Sequence, residues 1–274
     1  MKRKTTRNTA SSAKTAAKSR AVKPEEVAVA PSGSRLLAIR GAVPLALSGL
    51  IVALAVSWLL LAQANFSYGF WHDNAGIGAA IDEYAPANQY RQGFHLTTRQ
   101  QRVDLFAGIN RAIHRGGEGL AELTYVVPGH APQTLLREPE LIHLQDVANL
   151  IGYATYAVIV ALAAWLGLLA YYARADRSVP SLKLQLVGTL VFMATVAVVV
   201  VIVGPVKVFY ALHELLFPDG HQWFFYYQES LMSTMMKAPE LFGWIAVEWA
   251  LLAIFCFVGL QMTAAKVVQK LQKK

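Results

Sequence analysis

The chain alternates between long apolar stretches and polar connections. Four apolar stretches are long enough to cross a hydrocarbon layer of about 30 Å, which takes roughly 20 helical residues. They lie at 43–62, 147–172, 184–206 and 241–262. Because unpaired backbone groups are costly in lipid, each stretch is predicted to be helical, including the third, which is rich in β-branched residues. The predicted fold class is therefore an all-α membrane protein with four transmembrane helices.

The first apolar stretch has one alternative interpretation, a cleaved secretory signal. Its apolar run exceeds the roughly 7 to 15 residues of a signal core, and a long basic segment precedes it. The sequence that follows, Gln63–Ser67, is a poor small-residue cleavage site. We therefore expect the first helix to be retained.

Composition agrees with a membrane protein. Of the 274 residues, 55% are hydrophobic and 15% charged, and the mean hydropathy is +0.38. Soluble domains carry about 25% charged residues. The single cysteine, Cys256, lies in the fourth stretch, so no intramolecular disulfide can form. No internal repeat indicates a transporter built from two similar halves.

The distribution of basic residues predicts the orientation. Of the 25 Lys and Arg, 17 lie in the two terminal segments and in the connection between the second and third stretches, against 8 in the other connections. The positive-inside rule places both termini in the cytoplasm. We expect a disordered basic tail at 1–40, a membrane domain at 41–264 and a basic cytoplasmic C-terminus at 265–274. Charge alone attracts such a tail to anionic lipid, and no nucleic-acid partner is expected.

The two outer connections differ in character. The first, 65–146, contains turn signals, a charged helical stretch at 97–114 and an alternating segment at 120–127. It is predicted to form a small mixed extracytoplasmic cap. The second, 207–240, is rich in Phe, Tyr and Trp, which favour the headgroup region. Most of these aromatic residues are expected to lie at that depth.

Candidate chemistry lies at two helix ends. Glu140, His143 and Asp146 follow i, i+3, i+6 spacing at the outer start of the second stretch, so they share one helix side. His213 and Glu214 lie at the outer end of the third stretch. The topology brings both histidines to one depth on one face. A histidine beside a carboxylate is suited to general acid–base catalysis.

These residues carry a resemblance to a known family. The opening of the second stretch resembles the E-x-x-H-M-x-D-V motif of lipoprotein intramolecular transacylases, with Glu140, His143, Leu144, Asp146 and Val147. The family's second motif is matched by His213, Phe217, Trp223 and the segment Pro239–Phe242. Leu144 replaces the usual Met, and the interval between Phe217 and Trp223 is longer than in the family pattern.

The resemblance implies four membrane-spanning helices and an acyltransferase reaction without metal or other cofactor. The sn-2 acyl chain of a diacylglyceryl-cysteine lipoprotein would move to the α-amino group of the same cysteine, giving the lyso form. His143 would be the general base, oriented by Glu140 or Asp146, and His213 would polarise the carbonyl or return the proton. The partners implied are a diacylated lipoprotein and membrane lipids.

Further residues are weaker candidates. Arg137, Trp223 and Tyr227 are expected to contact a headgroup or peptide, and Glu214 to support the histidines. Glu248 is the one carboxylate deep in a predicted span, where a charge is costly. It is predicted either to pair with a histidine or with Lys207, or to be a protonated acid hydrogen-bonded between helices.

Three other functions remain open from the sequence. A metal-dependent membrane hydrolase would use His143, His213, Asp146 and Glu214 as ligands, although no strong ligand spacing such as HExxH occurs. A transporter or channel would need more polar residues along its spans. A non-enzymatic scaffold would use the outer connection to bind a partner.

Overall fold

The computed structural model of the chain describes Met1 and residues 32–273, the side chains of 32–40 excepted. The described residues form nine helices: α1 (Ser32–Gln63), α2 (Tyr68–Asn74), α3 (Ile77–Tyr84), α4 (Arg99–Ile113), α5 (Glu138–Arg174), α6 (Leu182–Val203), α7 (Pro205–Leu216), α8 (Leu231–Met236) and α9 (Glu240–Gln272). Three short 3-10 segments and two short strands, β1 (Thr124–Tyr125) and β2 (Gln133–Thr134), complete the described part.

Four helices in the described range are long and apolar enough to cross a membrane: α1 from Gly41 onward, α5, α6 and α9. The prediction of a mostly helical protein with four such helices is confirmed. Helix α1 is central and packs against α9, α5 and α6. Its residues Leu45 and Ala53 are fully buried, as is Phe257 on α9. Buried Gln261 donates a hydrogen bond to the Leu45 carbonyl at 3.3 Å, which ties α9 to α1.

The helix ends differ from the predicted spans. Helix α5 begins at Glu138 because the Arg137 N–H donates to the Glu140 carboxylate at 2.7 Å, which caps the first turn. Helix α6 ends at Val203, not at 206, because Gly204 takes φ +101° and Pro205 starts a new helix.

Helix α9 continues to Gln272, into the segment predicted as a separate C-terminus. Helix α1 begins at Ser32, inside the predicted disordered tail. The tail residues 2–31 lie outside the described residues.

The segment between α1 and α5 is mainly helical. The charged stretch predicted at 97–114 forms α4, and Thr98 caps it by accepting from the Gln101 N–H. The alternating stretch at 120–127 contributes only the two residues of β1. That strand pairs antiparallel with β2, with Thr124 opposite Thr134.

The aromatic connection after α6 is more ordered than the interfacial interpretation predicted. Helix α7 continues from α6, and α8 is buried along its whole length. Helix α8 packs against α3, so the two outer segments share one core. Phe225 is buried in that core, whereas Phe224 and Tyr226 on either side are exposed. Phe225 is thus a core residue, and the expectation that most of the aromatic residues lie at headgroup depth stays a prediction.

The link between α1 and α2 has an unusual backbone. Asn65, Phe66 and Ser67 all have positive φ, between 49° and 53°. Left-handed conformations cost L-residues about 1–2 kcal/mol each. The turn sends the buried Phe66 side chain into the core and the Ser67 hydroxyl towards α9.

Candidate active site

Both predicted histidines line one cavity. His143 on α5 and His213 on α7 have ring centroids 6.0 Å apart, with 26° between the ring planes. The cavity has a volume of about 350 Å³. Its walls are mostly apolar and include Trp58, Phe106, Ile109, Leu150, Ile151 and Ile245. Two imidazoles therefore face a space suited to an acyl chain.

The orientation of His213 is set by its own helix. Its Nδ1–H donates to the Phe209 carbonyl at 2.7 Å, one helical turn earlier. A carbonyl only accepts, so in the neutral ring Nε2 carries the free lone pair. Burial lowers the pKa of His213 below its ordinary value, against the opposing effect of the Phe209 hydrogen bond. His213 is therefore held as a neutral ring whose Nε2 can accept a proton.

His143 is held by aromatic packing. Its ring lies 4.8 Å from Phe217 and 6.1 Å from Phe225, centroid to centroid. Only 8% of the residue is exposed. Its ring nitrogens make no hydrogen bond to the residues that the structure describes, so no protein group selects the tautomer. His143 is thus free to donate to or accept from a molecule in the cavity.

The predicted orientation of His143 by a carboxylate is not what the structure shows. Glu140 is fully buried and accepts from the Ser230 hydroxyl on the α8 side and from the Arg137 N–H. Asp146 accepts from His221 Nδ1 at 2.7 Å. Both carboxylates already have other partners, and their contacts are structural: each joins α5 to the segment between α7 and α8.

Two other candidates lie apart from the histidines. Glu214 follows His213 directly, but its side chain is exposed and forms no ion pair with the described residues. Successive helical residues point about 100° apart, which explains the separation. The Arg137 guanidinium lies 4.3 Å above the Tyr90 ring and its Nε is 3.5 Å from Glu140. Neither residue lines the cavity.

Of the two aromatic candidates, Trp223 lines the cavity and Tyr227 does not. Trp223 lines the cavity, with its ring 5.0 Å from that of His213. Tyr227 instead packs on Tyr84 at 4.9 Å and donates to the Ala238 carbonyl at 2.9 Å. Trp223 thus stays a candidate for substrate contact, whereas Tyr227 closes the connection between α7 and α9.

Glu248 has neither predicted charged partner. The Ser67 hydroxyl donates to its Oε1 at 2.5 Å, and Trp71 Nε1 donates to its Oε2 at 3.3 Å. Lys207 is exposed and makes no ion pair with it. The carboxylate lies on a second cavity that shares no lining residue with the first. Glu248 is therefore separate from the histidine site.

Sequence reasoning missed a hydrogen-bonded wall of the cavity. Trp58 Nε1 donates to His114 Nε2 at 2.8 Å, and His114 Nδ1 donates to the Asn110 carbonyl at 2.8 Å. The Asn110 side chain donates to the Ala62 carbonyl at 2.7 Å. These bonds join α1 to the C-terminal part of α4. No local pattern signals them, because the partners lie 48 to 56 positions apart.

The ligand set of the alternative metal hydrolase is not assembled. Among the residues that the structure describes, no three His, Cys, Asp or Glu side chains lie close enough to hold one ion. Asp146 is engaged by His221, and Glu214 faces away.

Comparison with known proteins agrees with this geometry. The family model described as lipoprotein intramolecular transacylase Lit matches residues 129–242, the segment that carries both histidines. No curated protein matches the chain.

The fold is similar to solved structures of the membrane integral lipoprotein intramolecular transacylase Lit from Bacillus cereus. A variant of that protein with a histidine-to-arginine mutation has a TM-score of 0.56 at 14% identity, covering 88% of this chain and 94% of the other. A histidine-to-alanine variant has a TM-score of 0.57 at 14% identity, covering 88% and 96%. The chain therefore has the fold of these solved transacylase structures, and its sequence is similar to the transacylase family model over the segment that carries both histidines.

Proposed function

We propose that this protein transfers the sn-2 acyl chain of a diacylglyceryl-cysteine lipoprotein to the α-amino group of the same cysteine. The observation that carries the proposal is the placement of His143 and His213 on one apolar cavity. The family match over the same segment supplies the reaction class. An apolar cavity holds the acyl chain, and the imidazoles serve the proton transfers that O-to-N transfer requires.

The proposed orientation places the reaction on the extracytoplasmic side of the cytoplasmic membrane. Basic residues are concentrated in both terminal segments and between α5 and α6, which favours these parts in the cytoplasm. The histidines lie at the helix ends away from these basic segments. His143 is near the start of α5, and His213 is near the end of α7, which follows α6. That side carries α2–α4, the two-stranded sheet and α8, which together form the cap. Lipid esters and the lipoprotein amine meet the site at headgroup level.

The reaction needs one nucleophile, one base and one acid. The neutral α-amine attacks the ester carbonyl carbon, the C–N bond forms, and the amine proton passes to His213 Nε2. The bond between the carbonyl carbon and the sn-2 oxygen then breaks. Protonated His213 returns the proton to that oxygen, which leaves a glyceryl hydroxyl and an amide. Atoms and charges balance without another reactant.

The hydrogen bonds favour a different assignment of the base and donor roles to His143 and His213 from the one based on the sequence. Because the Phe209 carbonyl holds the Nδ1 proton of His213, this ring is the oriented base. His143 has no fixed tautomer and can donate to the developing oxyanion. Amine and ester belong to one molecule, so positioning supplies a large share of the rate enhancement. Trp223 beside His213 bounds the space for the reacting groups.

The decisive assay is mass spectrometry of a lipopeptide after incubation with the purified protein in lipid. A diacylated lipopeptide with a free α-amine is expected to keep its mass while one acyl chain becomes alkali-stable, because an amide replaces an ester. An N-acetylated lipopeptide serves as the matched control and should stay unchanged. Release of free fatty acid from the control would indicate a hydrolase and overturn the proposal.

The pH dependence follows from the lowered pKa of His213. Only the neutral ring accepts the amine proton, so activity is lost as pH falls through that lowered pKa. We expect the acidic limb of kcat/KM below the ordinary imidazole value of about 6.5. A second rise near pH 8 reports the substrate amine, with a pKa of about 8. An acidic limb at or above the ordinary imidazole value would contradict His213 as the buried base.

A further inference from the structure

A second cavity in the described part of the chain has a carboxylate, Glu248, among its lining residues. It is a groove of about 520 Å³ between α2 and α9, lined by Ser67, Phe70, Trp71, Trp244, Val247 and Glu248, together with Leu251. On α9, positions 244, 247, 248 and 251 share one face. Ile245, on another face, lines the histidine cavity instead. Helix α9 is thus a wall between two separate spaces.

The carboxylate in this groove has hydrogen bonds but no cation. Ser67 and Trp71 each donate one hydrogen bond to Glu248, and no Lys, Arg or His among the described residues forms an ion pair with it. A carboxylate offers about four lone-pair sites, so about two remain for a ligand. Glu248 lies eight residues into α9, about 12 Å along the helix axis. A charge at that depth is costly without a partner.

The aromatic residues around Glu248 pack on one another and hold the carboxylate in place. The Trp71 and Trp244 rings are stacked, with centroids 5.2 Å apart, and Phe70 meets Trp71 edge-on at 4.9 Å. The stacked pair leaves no space between the rings, and Trp71 directs its Nε1–H edge at the carboxylate, so the two rings orient Glu248. A primary ammonium has three N–H donors, enough for the open lone pairs of the carboxylate.

The surface beyond the groove is apolar. Val247, Leu251 and Phe255 follow i, i+4, i+8 spacing on α9 and are 55%, 56% and 74% exposed. They form a track along which acyl chains can lie below a headgroup. The groove therefore combines a negative, aromatic headgroup pocket with an adjoining apolar surface.

We propose that this groove binds a phospholipid with a primary ammonium headgroup, with the ammonium donating hydrogen bonds to Glu248. The lipid is a bound partner of the protein and takes no part in the reaction, because α9 separates the groove from the histidines. The proposal is independent of the transacylase reaction, since binding is measured without a lipoprotein.

The test uses the full chain, reconstituted in vesicles with equal parts of phosphatidylethanolamine, phosphatidylcholine and phosphatidylglycerol. After mild detergent extraction, native mass spectrometry counts the retained lipids. We expect phosphatidylethanolamine in excess over phosphatidylcholine by about tenfold, the effect of one charge-assisted hydrogen bond that a quaternary ammonium cannot donate. Glu248→Gln should abolish the excess. Glu122→Gln, an exposed carboxylate far from the groove in sequence, is the matched control and should keep it.

A second variant keeps the proposal testable if Glu248→Gln does not fold. Trp244→Leu changes a half-exposed side chain at the groove and leaves the carboxylate in place. It should reduce the phosphatidylethanolamine excess several-fold. The proposal is overturned if the wild type shows no excess, or if a correctly folded variant of either kind retains the full excess. Retention of a free-amine lipopeptide in place of phosphatidylethanolamine would also overturn it, because the occupant would then be the substrate.

Discussion

Replacing His143 or His213 by alanine is expected to lower the acyl-transfer rate by about 10²- to 10⁴-fold, the usual contribution of a general acid or base. Both rings line the apolar cavity, and they are 6.0 Å apart. If the two act on one transition state, the double variant should be no slower than the slower single variant. The rate is measured as formation of alkali-stable acyl chain on a lipopeptide.

Conservative variants separate the two histidine roles. Glutamine can donate and accept hydrogen bonds but cannot take up a proton at neutral pH. We therefore expect His143→Gln to keep more activity than His213→Gln, because His143 acts as a donor and His213 as a base. His130→Ala removes an imidazole outside the cavity and should leave the rate unchanged. The reverse order of the two glutamine variants would exchange the roles of the histidines.

Replacing Glu140 by alanine is expected to reduce stability more than any other change at this end of α5. Glu140 is fully buried and accepts from Arg137 and from Ser230, whose hydroxyl also accepts from the Ser233 N–H that starts α8. Removing one partner of a buried charged network costs about 3–5 kcal/mol. The expected result is a strongly lowered thermal unfolding midpoint in detergent, with partial loss of α8 from the core.

Two variants serve as controls for the Glu140 change. Glu140→Gln keeps one carbonyl acceptor and should fall between wild type and alanine. Glu138→Ala removes an exposed acid two residues earlier, whose helix-dipole effect is about 0.3–1 kcal/mol. If Glu140→Ala loses activity while its midpoint equals that of Glu138→Ala, Glu140 acts on His143 after all, and the structural role assigned to it is wrong.

The sequence contains signals for the start of helix α5 at Glu138. Pro139 in the first turn and the acid at Glu140 are typical of a helix N-terminus, yet the predicted span began at 147. That prediction followed apolar content alone, which reports the part of a helix that lipid contacts. Gly204 and Pro205 likewise signalled the end of α6. Because the predicted spans followed apolar content, they did not use these signals for the start of α5 and the end of α6.

The carboxylates show that helical spacing alone does not identify the hydrogen-bond partner of a side chain. Glu140, His143 and Asp146 share one helix side, as predicted, but sharing a side does not determine which partner each group meets. Glu140 turns to Ser230, 90 positions away, and Asp146 to His221, 75 positions away. Those partners belong to the connection between α7 and α8, whose path depends on packing between segments distant in sequence. Helical spacing could not predict them.

By itself the sequence determined the four apolar helices and the two histidines at helix ends. These depend on local composition and on helix geometry, which neighbouring residues determine. Only the tertiary structure decided that α7 turns His213 onto the cavity, that α8 is buried and that Glu248 faces a different groove. The physical reason is that side-chain partners across a fold depend on how distant segments pack, and that packing has no local signature.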